Sequence, residues 1–552
     1  MNATVLSGSL AWEGTPKATT AGLGTYLGFI WRRNWGRALT WFLITVGMYG
    51  FVAAYYAGLV KTTPGFFDGF AEIVKAPALA TMVGVIDNPA TLGGAVWCKG
   101  WMAFSLMLGI GIMYMMTRNL RGDEEAGRLE LMRANPLGIR SPLAASVVFA
   151  SVASIITGLF TALILLAANG TADPQYVMAP GGAFAFGASV GAMGLLGVGI
   201  AALTNQIAPS DGAANGLGIG IFALFYVIRA IGDYMINDNP GLRRGLLWVS
   251  PIGWGELVDP WGRNLVLPIV LMVVFAALLV FIGWQISTRR DMSASLVEAS
   301  SGPAKATKFT QTVAGLAFRT QRVSIIVWLV GIVIFGAILG SVINKMGEIV
   351  GGVSALQGQQ GDAIAIHIFF MLPLAVAIFG VQSASTLRTD EERGVLESQL
   401  AGGVSRVGWA CKRLAVTLVA VLIMMLVVAV VVGYMWSQAL TPVDPTKTAE
   451  AVKAIFAHLP AVILMIGVPV LGLGWWPRQA GLVSWVVVGA MWVLAIVGLT
   501  VLPAKLTNVI PFAGGPFYPD ISWAKEIIFL VLGIAFIVAG LIGFKRRDVP
   551  TL

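Results

Sequence analysis

The feature that most constrains this chain is a succession of apolar runs, each long enough to cross a bilayer as a helix. A crossing takes about 20 residues at about 1.5 Å per residue. Such runs lie at 39–61, 96–117, 142–168, 183–204, 214–235 and 265–287, and again at 323–344, 364–387, 413–438, 458–474, 481–502 and 523–544. They predict an all-α polytopic membrane protein of about twelve transmembrane helices. A very tight turn is expected at Gly474-Trp475-Trp476-Pro477-Arg478, between the tenth and eleventh runs.

Composition agrees with lipid as the solvent. Of 552 residues, 57% are apolar and only 11% charged, whereas a single apolar core stops growing beyond roughly 250–300 residues. The net charge of +9 is a topology signal, and no nucleic-acid partner is implied. With the N-terminus inside, the inner segments hold 24 Lys and Arg, the outer segments and their edges hold 11, and Arg229 lies within a span. That bias predicts a multi-pass protein of the cell (inner) membrane with both termini in the cytoplasm. Cys98 and Cys411 fall on opposite sides, and His367 and His458 are far apart, so neither a disulfide framework nor a metal site is expected. Residues 1–20 lack the apolar core and cleavage site of a signal peptide. The segment Trp31-Arg32-Arg33-Asn34-Trp35-Gly36-Arg37 is too charged to cross and suits a helix lying at the inner interface.

The chain repeats itself at long range. Arg121-Gly122-Asp123-Glu124-Glu125-Ala126-Gly127-Arg128-Leu129-Glu130 follows the second run. Arg388-Thr389-Asp390-Glu391-Glu392-Arg393-Gly394-Val395-Leu396-Glu397 follows the eighth, at an offset of 267, and seven of ten positions are identical. Arg289-Arg290-Asp291 after the sixth run recurs as Arg546-Arg547-Asp548 after the twelfth, and Arg32 to Trp41 resembles Arg319 to Trp328. Six runs per half give both halves the same orientation, a parallel repeat about an axis along the membrane normal. The expected organisation is a first six-span half at 1–287, a cytoplasmic linker at 288–318 and a second six-span half at 319–552. The substrate path is expected between the halves.

The acidic loop is read as a short cytoplasmic helix whose carboxylates Asp123, Glu124, Glu125 and Glu130 face water and dock a soluble partner. Nothing holds them in a dry pocket, so acid–base catalysis is not expected. On these residues the loop resembles the coupling loop of ABC-2-type exporter permeases. The whole chain resembles the double-length permeases described as exporters of polyketide antibiotics, the tetronasin-resistance type. Further matches are Ile228-Arg229-Ala230-Ile231-Gly232-Asp233, Trp248-Val249-Ser250-Pro251-Ile252-Gly253-Trp254 and the twofold Arg-Arg-Asp ending. The resemblance implies that Asp123, Glu124, Glu125, Gly127, Arg128 and Glu130, with Asp390, Glu391, Glu392, Gly394 and Glu397, form coupling helices. Each would sit on one of two copies of a separate nucleotide-binding ATPase subunit. Val395 in place of Arg128, and Gly403 in place of Pro136, predict contacts of different strength.

The sequence contains no Gly-x-x-x-x-Gly-Lys-Ser/Thr, so no phosphate-cradling loop of that type is present. The chain is therefore expected to be no enzyme by itself and to hold no cofactor, with ATP and Mg bound by the partner. Arg229 and Asp233 lie one turn apart late in span five. They read either as a gate near the extracellular exit or as a structural pair that snorkels to the interface. His367 has no counterpart in the first half and reads as incidental. The outer-loop acids Asp68, Glu72, Glu256 and Asp259 form no recognisable site in sequence. A path for hydrophobic drugs is expected to draw on Met107, Met113, Tyr114, Phe222, Phe225, Tyr226, Phe369, Phe370, Phe379, Trp485 and Trp492, since flexible Met and flat aromatics suit varied apolar ligands. The leading expectation is a permease for efflux of hydrophobic drugs or antibiotics. The alternative is a proton-coupled secondary multidrug transporter with 6+6 helices, which needs titratable groups near the midplane.

Overall fold

The structure, a computed structural model, describes residues 20–62, 66–74, 77–133, 137–287, 305–352, 362–392, 394–439, 442–501, 510–512 and 523–547. Among them there are helices and no strands, and the protein is an all-α polytopic membrane protein. Among the described residues, eleven helical segments are long and apolar enough to cross a membrane. Another helix, Ala480–Val501, occupies the position of the eleventh run, and its described part, Ala480–Trp492, is apolar. The chain divides into two compact units, Met1–Ser300 and Ser301–Leu552.

In the first unit α1 (Leu23–Thr62) is span one. Two short helices, α2 (Phe66–Val74) and α3 (Pro77–Val83), follow it. Span two runs through α4 (Leu92–Val96), a π-helix at Trp97–Ser105 and α5 (Leu106–Asn119). The acidic loop forms α6 (Arg121–Glu125) and α7 (Arg128–Arg133). Spans three to five are α8 (Ser141–Ala168), α9 (Pro180–Ile207) and α10 (Asp211–Tyr234). Two short helices, α11 (Pro240–Val249) and α12 (Pro251–Leu257), precede span six, α13 (Leu267–Ser287). Capping fixes several of these starts: Ser210 Oγ accepts from the Ala213 N–H at 3.1 Å, and the Thr91, Asn239 and Ser250 side chains cap α4, α11 and α12. Spans one and three, three and four, two and four, and four and six pack together. Small residues permit the close approach: a Cβ on Gly158 of α8 would lie 2.5 Å from the Gly187 carbonyl oxygen of α9.

The second unit contains α14 (Val313–Gly352), α15 (Asp362–Glu392), α16 (Val395–Leu400), α17 (Arg406–Ala439), α18 (Thr446–Ala457), α19 (Leu459–Trp475), α20 (Ala480–Val501) and α21 (Trp523–Arg546). Its pairings parallel those of the first: α14 with α17, α15 with α19, α19 with α21. Side-chain contacts recur in register too. Asn34 Nδ2 donates to Asn119 Oδ1 at 3.0 Å, and 267 residues beyond Asn119, Thr386 Oγ1 accepts from Gln321 Nε2 at 3.4 Å.

Three expectations need correction. The charged segment at Trp31–Arg37 is not a separate interfacial helix; it continues span one within the 40-residue α1, which is about 60 Å long. A matching 40-residue α14 starts at Val313 and so takes up the end of the proposed 288–318 linker. The tenth span begins at Thr446 rather than 458, because α18 leads directly into α19. Lys447, Glu450 and Lys453 lower the hydropathy of α18, yet Ala451, Ala454 and Ile455 are buried. Pro460, in the first turn of α19, lacks the N–H that would bond the two helices into one ladder.

Candidate functional site

Two clusters of charge stand out in the first unit, one at each end of span five. The first is the acidic loop. Glycine closes its helix: Gly127 has φ of 66°, and Gly394, the equivalent residue of the second unit, has φ of 69°, a left-handed conformation that suits glycine. Leu129 and Leu396, two residues further on, are both buried.

The carboxylates do not all face water, contrary to the sequence-based expectation. Asp123 and Glu124 are buried. Asp123 is paired with Arg33 of α1 and with Arg128, both at 2.7 Å, and Glu124 with Arg121 at 3.2 Å. Arg121 Nε also donates to the Asn205 carbonyl at the end of α9, at 2.8 Å. Burying a carboxylate without a partner is expensive, so the pairing explains why these two turn inward. Glu125 and Glu130 remain exposed. Glu125 Oε1 accepts the backbone N–H of Asp211 at 2.5 Å, which sets a negative charge on the N-terminus of α10, where the helix dipole favours it.

In the second unit the same positions divide in the same way. Glu391 is buried, Asp390 half-buried, and Glu392 and Glu397 exposed. The clamps come from elsewhere. Arg547 of the Arg-Arg-Asp ending reaches Glu391 at 2.5 Å and Arg388 reaches it at 3.0 Å, while Arg413 of α17 pairs with Asp390. The terminal motif thus holds the second loop. The first-half Arg289-Arg290-Asp291, as well as Pro136, lies outside the described residues; Gly403 has φ of 81°.

The second cluster is a buried ring of ions at the opposite end of span five. Arg229 Nε pairs with Asp233 Oδ2 at 2.6 Å and lies 3.7 Å from Glu256 Oε2. Arg243 of α11 closes the ring, reaching Asp233 at 3.2 Å and Glu256 at 2.6 Å. Arg229 also donates to the Ala80 and Thr81 carbonyls of α3, at 2.9 and 2.6 Å, and Glu256 accepts the Val85 N–H at 3.0 Å. Of the four, only Arg243 reaches the surface, with 23% of its side chain exposed. Burial, and next the nearby charge of Asp233, push the Glu256 carboxyl up to about 8, against the pull of the two arginines.

The ring sits under a roof made by α12 and packed on the π-helix of span two. A Cβ on Gly84 would lie 2.7 Å from both Glu256 Oε2 and Trp97, and Gly255 abuts Trp101. The Trp97 and Trp101 rings stack at 5.3 Å. Beyond the roof, Asp259, Trp261 and Asn264 all have positive φ, of 51°, 60° and 48°. Asp259 accepts the N–H groups of Asp87 and Arg263, both at 3.0 Å; burial pushes its carboxyl up, and these bonds together outweigh it and hold the carboxyl below the ordinary value.

Of the loop acids named from sequence, Glu256 therefore joins Arg229 and Asp233 in a buried site, a grouping that sequence spacing does not show. Glu256 and Arg243 were missed because they join Arg229 and Asp233 only through the fold of α11 and α12, with no fixed sequence spacing. Lys99 was also missed as an ion within a span: it lies in the π-helix, inside span two. The side chains of Asp68, Glu72 and His367 lie outside the described ones.

The path candidates separate by burial. Met113, Phe222 and Phe379 are buried in the cores of their own units. Met107, Phe225, Tyr226 and Trp492 are half-buried, and Tyr114 and Trp485 are exposed. Tyr226 lies against the ring, with the Arg229 guanidinium 5.2 Å from its centroid. The side chains of Phe369 and Phe370 lie outside the described ones.

Residues 311–545 match the family model for the C-terminal domain of the multidrug efflux system permease Rv1217c. Over 490 residues the chain is 28% identical to the multidrug efflux system permease protein Rv1217c of Mycobacterium tuberculosis, covering 87% of this chain and 86% of that one. The chain is thus similar, over most of its length, to a drug-efflux permease.

Proposed function

We propose that this chain is the membrane-spanning permease of an ABC-2-type exporter of hydrophobic drugs or antibiotics, driven by two copies of a separate ATPase subunit that bind ATP and Mg. The observation that carries the reading is the acidic loop built twice. In both units a left-handed glycine closes the turn, a leucine two residues on is buried, and the inner carboxylates are clamped to the spans. In both, a Glu two residues before the glycine and another three after it are left exposed (Glu125 and Glu130, Glu392 and Glu397). Exposed carboxylates on a clamped base suit the docking of a rigid partner, and a rigid base transmits force. The likeness to a multidrug efflux permease supports the export of drugs.

On this reading both loops and both termini are cytoplasmic. Span five connects the first loop, through Glu125 and Asp211, to the ion ring, so Arg229 and Asp233 become parts of an outer gate together with Arg243 and Glu256. Met107, Tyr114, Phe225 and Tyr226 of the first unit are exposed or half-buried and open to a ligand, as are Trp485 and Trp492 of the second. The test is accumulation of a fluorescent hydrophobic drug in the native host. Deletion of the gene should raise accumulation, and wild type should restore export. The quadruple variant E125Q/E130Q/E392Q/E397Q should reach the membrane at normal levels and fail to export. Full export by that variant would refute the docking role.

A further inference from the structure

Span two is largely enclosed by its neighbours, yet one stripe along it stays open. Lys99, Ala103, Tyr114 and Arg118 are exposed, and Met107 and Ile110 between them are half-buried. The spacing of three to four residues puts all six on one face. Between Leu92 and Asn119 the span contains no Asp or Glu.

The polar atoms on this stripe are uncommitted. Among the described residues, neither the Lys99 ammonium, the Tyr114 hydroxyl nor the Arg118 guanidinium has a hydrogen bond or ion pair. The contrast with the other ions of the spans is sharp, since Arg229 and Asp233 are both bonded within the ring. An ammonium inside a span costs about 2.5–3.5 kcal/mol near the centre on insertion scales, less toward the interface. Lys99 lies in the π-helix, a local form that occurs mostly as single turns and often at functional sites. The π-helix turns Trp97 and Trp101 inward under the roof and leaves Lys99 and Ala103 outward. Nineteen residues separate Lys99 from Arg118, about 28 Å at the α-helical rise, so the stripe runs nearly the thickness of the hydrocarbon core with a cation near each end and an apolar middle.

We propose that this stripe binds the exported molecule and that the molecule is a lipophilic anion, its carboxylate held by Lys99 and its apolar body lying along Ala103, Met107, Ile110 and Tyr114. The inference rests on the export reading for the fate of the ligand, but binding itself needs no ATPase. Charge complementarity selects the class: two free cations with no acid on the face disfavour a cationic drug and favour an anionic one.

The test is equilibrium binding to the purified full chain in nanodiscs of zwitterionic lipid. The probes are radiolabelled dansyl-undecanoic acid and its methyl ester, with empty discs subtracted. Wild type should bind the acid at least about tenfold more tightly than the ester, the scale of a hydrogen bond to a charged group. Lys99→Gln should remove that preference while leaving ester binding unchanged, which also reports that the variant is folded. Lys99→Arg should restore it. Equal binding of acid and ester by wild type, or loss of both probes together in Lys99→Gln, would overturn the proposal. Acid binding abolished by a small fraction of anionic phosphatidylglycerol would also overturn it, by making a lipid headgroup the occupant. Failure of drug export with intact acid-selective binding would count against the export reading alone.

Discussion

The two acidic loops share seven of ten residues and are anchored by different means. In the first unit the clamps come from within the loop and from span one: Arg121, Arg128 and Arg33. In the second they come from Arg388, from span nine through Arg413, and from the terminal segment through Arg547. Val395 stands where Arg128 does, so the second loop lacks that clamp and others serve. The exposed faces nonetheless stay alike. What is kept twice is the outward pair of glutamates on a fixed base, while the way the base is fixed is free to vary. The first loop has a further attachment, from Glu125 to the N-terminus of span five, and so reaches the ion ring along a single helix.

The largest effect that can break this comparison is expected at the second loop. Arg547→Gln removes one of two cations from buried Glu391, and breaking a buried pair costs about 3–5 kcal/mol. Arg128→Val copies what the second loop already has, and half of the Arg128 side chain is exposed, so about 1 kcal/mol or less is expected. Thermal melting of the purified variants should rank them in that order. Equal losses would mean that the two anchors are equivalent.

A pH effect separates the loops from the ring. Glu256 binds its proton more tightly in the folded protein than in the unfolded chain, where the ordinary value of 4.5 applies. The folded state therefore holds more protons between about 4.5 and about 8, and the stability this group contributes is lost as pH rises through that window. Glu256→Gln should flatten the fall, whereas Glu125→Gln should leave it in place. A melting profile of Glu256→Gln with the wild-type slope would show that the ring does not titrate there.

The smallest effect concerns Glu125 itself. Glu125→Gln withdraws a charge from the start of α10 and should cost about 0.3–1 kcal/mol of stability. Glu392→Gln should cost less, since its pair with Arg388 leaves more than half of the Glu392 side chain exposed and such surface pairs contribute little. Identical melting of the two variants would remove the special tie between the first loop and span five.

The spans were legible because hydrophobic length in lipid is a strong, local signal. α9, α10 and α13 lie within a few residues of where the apolar runs put them. α18 was not, since its charged face conceals a buried alanine stripe. The twofold loop was legible as a repeat, but the burial of Asp123 and Glu124 was hidden because Arg33 is far away in sequence. The ring was only half visible: Arg229 and Asp233 share a helix turn, whereas Arg243 and Glu256 arrive on α11 and α12, whose course depends on capping by Asn239 and Ser250 and on packing against the π-helix. No apolar pattern announces a π-helix, so the outward turn of Lys99 in the first part of span two is not legible in the sequence.

The most direct measurement is the native mass of the complex purified from its own host through a C-terminal tag. Docking at both loops predicts one permease with two copies of a P-loop ATPase, reduced to one copy by E125Q/E130Q or by E392Q/E397Q and to none by all four changes together. A single chain without an ATPase, even after crosslinking in the membrane, would contradict the docking role and turn attention to proton coupling through the ring.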